Sequence, residues 1–399
     1  MKMNILLTAA EKTANWMIVN QPVDRLDANK GRTINSYSAA SGAFQFTTGW
    51  QTGGVCMGLL AMYKRTGEKL YLDRAELAGR YVMSLQVMDQ RQPRYYGAIR
   101  ECTPQSLEFC PRDATTAAWA LVWLYEATRN PEYLDRAVLF GNWHLEYGMY
   151  DGWPLWAVMM DDQDDLYAKG SFQSGTGLFY HDLFMVSGDT RYINSGLKPI
   201  ARRYRDEFFN PDGSIVVARD IFSNQDKSGQ KMDCCEFDMH QYNDDFGNAM
   251  LQTAADIFGD ESYREAALKF AHWLADHQDA DGGFRNNKIP SAVAMSLMYF
   301  HDLGNFYQDK KLLAAKDKTL NKLLSMQFAG AGNQRLDGGF KETEGVSEEF
   351  CVNMRTSMYA LLALLKVESS LAEIWLGRNN RKFNDRLWSL KTEPYTFKW

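Results

Sequence analysis

The feature that most limits what this chain can fold into is a connection that recurs at roughly sixty-residue intervals. It reads Thr66-Gly67-Glu68-Lys69-Leu70-Tyr71, Thr128-Arg129-Asn130-Pro131-Glu132-Tyr133, Ser187-Gly188-Asp189-Thr190-Arg191-Tyr192 and Phe258-Gly259-Asp260-Glu261-Ser262-Tyr263. Leu303-Gly304-Asn305-Phe306-Tyr307 is a degenerate fifth copy. Each copy separates two apolar-periodic helices. A second signal comes one helix later, a Gly-rich turn: Tyr95-Tyr96-Gly97, Tyr150-Asp151-Gly152-Trp153, Pro211-Asp212-Gly213-Ser214, Asp281-Gly282-Gly283-Phe284 and Asp337-Gly338-Gly339-Phe340. Glycine takes positive φ without steric cost, which suits it to such turns.

Periodicity of 3.6 residues predicts helices over 4–19, 47–66, 71–88, 114–129, 132–148, 173–187, 191–208, 243–258, 262–277, 290–303, 309–327 and 349–367. Short turns alternate with long loops over 20–46, 89–113, 149–172, 209–242, 278–289 and 328–348. No strand–helix alternation argues for a parallel sheet. Helical hairpins of about 65 residues can stack as a linear solenoid or close into a ring. A solenoid favours uniform short loops, so long loops on alternate connections predict an all-α (α/α)6 toroid. The chain is read as one such catalytic domain over residues 1–399, with small strand-like pieces in the loops. The helices at 47–66, 114–129, 173–187 and 243–258 are rich in Gly, Ala, Ser and Thr, which permits close approach in an inner ring. All long loops then emerge on one face, where the inner helices begin. Their free N–H groups favour anionic ligands there.

Composition narrows the function. A net charge of −6 and no run of like basic residues give no footprint for nucleic acid. No stretch of 18 apolar residues offers a membrane span. The N-terminus reads as a first helix better than as a signal peptide, so a cytoplasmic or periplasmic location is expected. Aromatic residues make up 13% of the chain, which suits either large helix cores or stacking on sugar rings. Six cysteines show no metal-type pairing; Cys102 and Cys110 are candidates for a bridge across a loop.

The densest polar stretch runs from Asp233 to Ala249, at the start of the fourth inner helix. Phe237, Met239, Tyr242 and Phe246 interleave with its acids, which fits a partly buried cleft. Side chains at the six inner-helix starts converge over the pore. The candidate catalytic residues are Asp113, Glu236, His240 and Asp244. The candidate substrate-binding residues are Trp50, Arg112, Gln173, Asp238, Tyr242, Asn243, Glu348 and Arg355. Asp113 is equally readable as a helix N-cap. Arg112 and Arg355 present the bidentate fork that carboxylates need. Neither a metal nor another cofactor is expected. Glycoside hydrolysis needs two carboxyls across a sugar. The favoured pair is Asp113 with one acid of the Glu236–Asp245 segment.

The helix-pair pattern and the Asp-Gly-Gly-Phe turns at 281–284 and 337–340 resemble the (α/α)6 carbohydrate-active enzymes. Within these, the chain looks similar to uronic-acid-acting members, the unsaturated glucuronyl hydrolases and the family 154 β-glucuronidases. In the former an Asp near an inner-helix start acts as acid, and Asp113 in Arg112-Asp113-Ala114-Thr115-Thr116 looks similar. Their His-Asp-x-Gly-Phe-type segment is not matched by His181-Asp182-Leu183-Phe184, which favours a saturated glucuronide. The expectation is an exo-acting glycoside hydrolase on a uronic-acid-containing oligosaccharide or glycoside. The alternatives are a polysaccharide lyase with a His or Tyr base, a sugar epimerase, and a non-catalytic sugar-binding scaffold. The residues leave the oligomeric state open.

Overall fold

The computed structural model describes residues 2–160, 164–228, 240–285, 289–330, 332–341 and 352–368. The described residues form twelve α-helices. The inner ones are α2 (Gly49–Thr66), α4 (Pro111–Thr128), α6 (Thr176–Ser187), α8 (Gly247–Phe258), α10 (Pro290–Tyr307) and α12 (Met354–Glu368). The outer ones are α1 (Lys2–Val19), α3 (Lys69–Ser84), α5 (Pro131–Tyr147), α7 (Lys198–Glu207), α9 (Ser262–Asp276) and α11 (Lys310–Met326). This is the (α/α)6 toroid the repeats predict.

Burial separates the two rings. In α2 every residue from Gly49 to Met62 is buried, and in α10 every residue from Pro290 to Phe300. A helix apolar all round must be enclosed all round. By contrast α3 buries only Tyr71, Ala75, Ala78, Gly79, Tyr81 and Val82, the stripe of a helix with one wet face. Small residues set the spacing of the inner ring. A Cβ on Gly53 would lie 2.7 Å from the Ala117 Cα of α4, and one on Gly54 2.2 Å from the Met358 sulfur of α12.

The Gly-rich turns lock successive outer helices together. Gly97 has φ 99°, and a Cβ there would meet the Leu139 carbonyl of α5 at 2.7 Å. Gly213, Gly282 and Gly338 repeat the device, as does Gly31, a sixth copy, while Gly152 meets the Pro199 side chain of α7 instead. A glutamine accompanies most copies. The Gln86 Nε2 donates to the carbonyls of Gly97 and Arg136, at 2.9 and 3.0 Å. Gln21, Gln278 and Gln327 do the same at their own turns.

The ring closes through the first and last described helices. α1 is the outer partner of α12. Gly338, after α11, lies against the Lys12 carbonyl of α1, and the Gln327 Nε2 donates to the Ala9 carbonyl at 2.8 Å. Arg65 at the end of α2 pairs with Glu368 at the end of α12, 2.7 Å apart. A small sheet in the order Phe44–Phe46, Ile34–Tyr37, Val352–Asn353 ties the same two hairpins on the loop face. No described helix is long and apolar enough to cross a membrane.

Helix starts differ from expectation where loops carry the site. α8 begins at Gly247 rather than 243, and α12 at Met354 rather than 349. Cys102 and Cys110 are free thiols rather than a bridge.

Candidate active site

Two inner-helix starts supply the titratable groups, and a third supplies an arginine whose charge acts on both. The turn into α8 is Asn243-Asp244-Asp245-Phe246. The last two residues adopt φ 44° and 78°. The Asn243 Oδ1 accepts the Asp245 N–H at 3.0 Å and its Nδ2 donates to Ser291 at 3.2 Å, which fixes the bend. The bend sends adjacent carboxylates in different directions.

Asp244 is fully buried. It accepts the hydroxyl of Tyr204 at 2.7 Å and that of Tyr299 on α10. Burial pushes its carboxyl up to about 6, against the pull of those two hydroxyls. Asp245 accepts the Tyr359 hydroxyl at 2.9 Å and lies 3.5 Å from the Arg355 guanidinium, both on α12. Burial acts to raise Asp245 too, but the surrounding positive groups, Arg355 foremost, outweigh it and hold the carboxyl below its ordinary value.

At the start of α4, Cys110 occupies the cap position and Pro111 follows. Asp113 therefore stands inside the first turn and is not the N-cap. It keeps partial solvent access, as do Glu101 and Cys110. Burial pushes the Asp113 carboxyl up to about 6, with Arg112 and Arg355 pulling down and Asp245 and Glu108 adding to the rise. Glu101 rises further, through burial and then through Asp113 and Glu108. One oxygen of each carboxyl and the Cys110 sulfur lie within 4.8 Å of one another. Among the described residues this trio is the one arrangement with metal-ligand spacing. Without a metal its thiol stays protonated. A thiol ligand must ionise, whereas burial holds Cys110 well above its ordinary value while its S–H donates to Glu108 at 3.4 Å.

His240 lies against the Phe172 ring, centroids 4.2 Å apart, and is almost fully enclosed. Its Nδ1 is 3.1 Å from the Asn243 carbonyl, an acceptor only, so that nitrogen carries the proton and Nε2 is the basic one. Burial lowers the ring to about 4, which keeps it neutral at physiological pH.

Other sequence-selected residues do different work. Arg112 donates to the carbonyl of Phe172 at 2.8 Å, to Thr116 at 2.8 Å and to the carbonyl of Asp245 at 3.4 Å. It braces the floor rather than presenting an open fork. Gln173 takes the Trp153 N–H at 3.1 Å and donates to the Pro154 and Leu155 carbonyls, so its amide is spent on loop backbone. Tyr242 packs on Trp273 and Phe284. The Trp50 ring lies under the Arg355 guanidinium, 5.1 Å away. Glu236, Asp238 and Glu348 lie outside the described residues.

Three residues of this arrangement were not singled out from sequence. Asp245 was one acid among several, overshadowed by Asp244. Tyr359 follows Arg355 by four residues, and that helical spacing was a usable signal. Glu101 sits in an aperiodic loop, and nothing local marks it.

No protein-family model and no curated protein matches the chain. Solved structures do. A sugar epimerase from a ruminal bacterium is similar with a TM-score of 0.72 at 15% identity, covering 92% of this chain and 98% of that one. An unsaturated glucuronyl hydrolase specific for heparin gives 0.66 at 14% identity, covering 94% and 99%. An α-1,6-mannanase from Salegentibacter gives 0.63 at 16% identity, covering 92% and 99%. At these identities the likeness carries the toroid fold, and the reaction must be argued from the site.

Proposed function

We propose that this protein is a glycoside hydrolase acting on a uronic-acid-containing saccharide, with Asp113 as general acid and Asp245 as the ionised carboxylate. One observation carries this reading. Asp113 is pushed up to about 6 while Asp245 is held below its ordinary value, although both are enclosed in the same region. Environments that drive two carboxyls apart are what acid and base roles require. Asp113 gives its proton to the bridging oxygen as the sugar–oxygen bond breaks. Asp245, ionised in the resting enzyme, stabilises the positive charge that develops on the sugar ring or receives a proton from the attacking water. Arg355 supplies the positive charge for a substrate carboxylate, and the Trp50 ring beneath it supplies a flat apolar face. Two of the three similar structures above carry names of glycan-hydrolysing enzymes, and one of these names a glucuronyl substrate.

The test is aglycone release from aryl β-glucuronides and reducing-sugar release from uronate-ended oligosaccharides, by wild type and Asp113→Asn. Turnover that the variant loses supports the reading. Appearance of an unsaturated uronate chromophore from intact polysaccharide assigns a lyase instead.

A second reading has its own observation. A neutral His240 with a basic Nε2 can remove a proton next to a sugar carbonyl, which is what epimerisation requires. The epimerase among the similar structures gives this reading weight. Deuterium uptake at carbon 2 of a reducing sugar incubated in heavy water, without bond cleavage, would replace the first reading with this one.

A further inference from the structure

We propose that Glu101 is the proton partner of Asp113: at neutral pH the two carboxyls hold one proton between them, and this extends the pH range over which Asp113 can act as an acid. The inference rests on the hydrolase reading for its consequence, but the shared proton itself does not.

Geometry makes the case. Glu101 belongs to the loop between α3 and α4, yet its backbone is fixed from two sides. The Gly49 N–H, at the start of α2, donates to its carbonyl at 2.7 Å, and its own N–H donates to the Glu108 carbonyl at 3.1 Å. The loop is therefore pinned between the first and second inner-helix starts. A carboxyl oxygen of Glu101, one of Asp113 and the Cys110 sulfur lie within 4.8 Å of one another. Two carboxyls this close each make the other harder to ionise. The groups facing the pair are Glu108 and Cys110 from the same loop, Arg112 from α4, Asp245 from the start of α8 and Arg355 from α12. Arg112 is held by carbonyls and Thr116, and Arg355 lies 3.5 Å from Asp245; both pull Asp113 down without overcoming its burial. Glu108 adds negative charge, and the Cys110 thiol is held protonated. A shared proton is thus the favoured state. The upward shift of both carboxyls is in accord with this.

The proton accounting is simple. When Asp113 gives the shared proton to the leaving oxygen, both carboxyls are left ionised until a proton is taken up again. The water consumed in hydrolysis returns one proton, so the pair ends the cycle as it began. Glu101 acts through Asp113 and is a positioning residue rather than a catalytic one.

The experiment uses the full chain and two readouts. Infrared difference spectra with labelled Asp or Glu carboxyls report protonated carboxyl groups directly, with no substrate. Wild type is expected to keep one protonated carboxyl from this pair at pH 7, and Glu101→Gln to lose it. Should Glu101→Gln fail to fold, Asp113→Asn reads the same pair, since it changes the band if the proton is shared. The pH–rate profile is the second readout. The alkaline limb of Glu101→Gln should fall about one pH unit earlier than wild type, and Glu101→Asp should restore part of the difference. Absence of any protonated carboxyl from the pair at pH 7 overturns the proposal, whatever the activity. Its presence without turnover of any glycoside leaves the pair standing and sinks the hydrolase reading alone. Loss of the band on adding a divalent cation at micromolar concentration would assign the trio to a metal and overturn the shared proton.

Discussion

Asp244 and Asp245 are neighbours in the chain and face opposite partners. The first is gripped by the hydroxyls of Tyr204 and Tyr299, and the second by Tyr359 and Arg355. The two positive φ values at Asp245 and Phe246 produce this split. One carboxyl ties the α8 start to its surroundings, and the other meets the arginine that reaches toward Asp113. An Asp-Asp pair read as a string offers no means of telling the two apart.

Asp113→Asn should lower kcat by on the order of 10² to 10⁴ if it removes a general acid. Its far-ultraviolet circular dichroism and thermal midpoint should stay near wild type. A loss below tenfold on every glycoside that wild type turns over would remove Asp113 from the acid role.

The pH dependence follows from the directions of the two shifts. Asp113 must be protonated, so activity should decline as pH rises through about 6. Asp245 must be ionised, and its carboxyl is held below the ordinary value, so the acid limb should lie below the usual aspartate range. A kcat/KM profile with its maximum on the acidic side of neutrality is expected. A maximum above pH 8 would contradict the assignment.

Arg355→Ala should weaken binding of a uronate substrate by about 1.5–3 kcal/mol, the range for hydrogen bonds to charged groups. It should do less to the KM of the matched neutral glycoside. It should also let the Asp245 carboxyl rise, which moves the acid limb of the profile to higher pH. Equal losses on charged and neutral substrates would make Arg355 a structural ion pair only.

Asp244 yields a stability test. Its folded carboxyl is raised to about 6, above the value in an unfolded chain. The protonated form is therefore the one that folding favours. That contribution is fully present below about pH 4 and is lost as pH rises through about 6. The denaturant midpoint of wild type should fall over this window, and Asp244→Asn should flatten the slope. An identical slope in both would refute the buried titration.

The ring contacts predict a contrast between two glycines. Gly338→Ala places a Cβ 2.2 Å from the Lys12 carbonyl at φ 97°, so it should cost about 3 kcal/mol or more. Gly67→Ala has φ 75° but open space around it, so only the backbone term of about 1 kcal/mol applies. Thermal midpoints of the two variants compare them directly.

Much of the fold was legible because each helical hairpin repeats its signals. The aromatic after each short connection and the Gly-rich turn after each outer helix arise from the same packing problem solved again. The sixth turn, at Gly31, escaped because Lys30-Gly31-Arg32 has neither an Asp-Gly pair nor an aromatic beside the glycine. The site was less legible. Asp113 and Arg355 stood out because they sit at helix starts and His240 because it sits in the acidic stretch, and the charge of Arg355 reaches both of the others. Gln173 and Arg112 were read as ligand-facing because they are polar at the same starts. Whether such a group faces the pore or braces a loop depends on carbonyls far away in sequence. Glu101 reaches the site from a loop whose course no periodicity encodes. The Glu236–Asp238 segment lies outside the described residues.

In an open helical array the end repeats have one neighbour and fray first. Here α1 and α12 pair with each other, so no hairpin is an end in that sense. Opening any one of them breaks two interfaces rather than one, and Gly338 together with Gln327 makes the seam between first and last as tight as the others. The circle should therefore melt as one unit. Amide exchange in α1 would then be as slow as in α6 halfway round, and a protease would find no end hairpin to unpeel among the described helices.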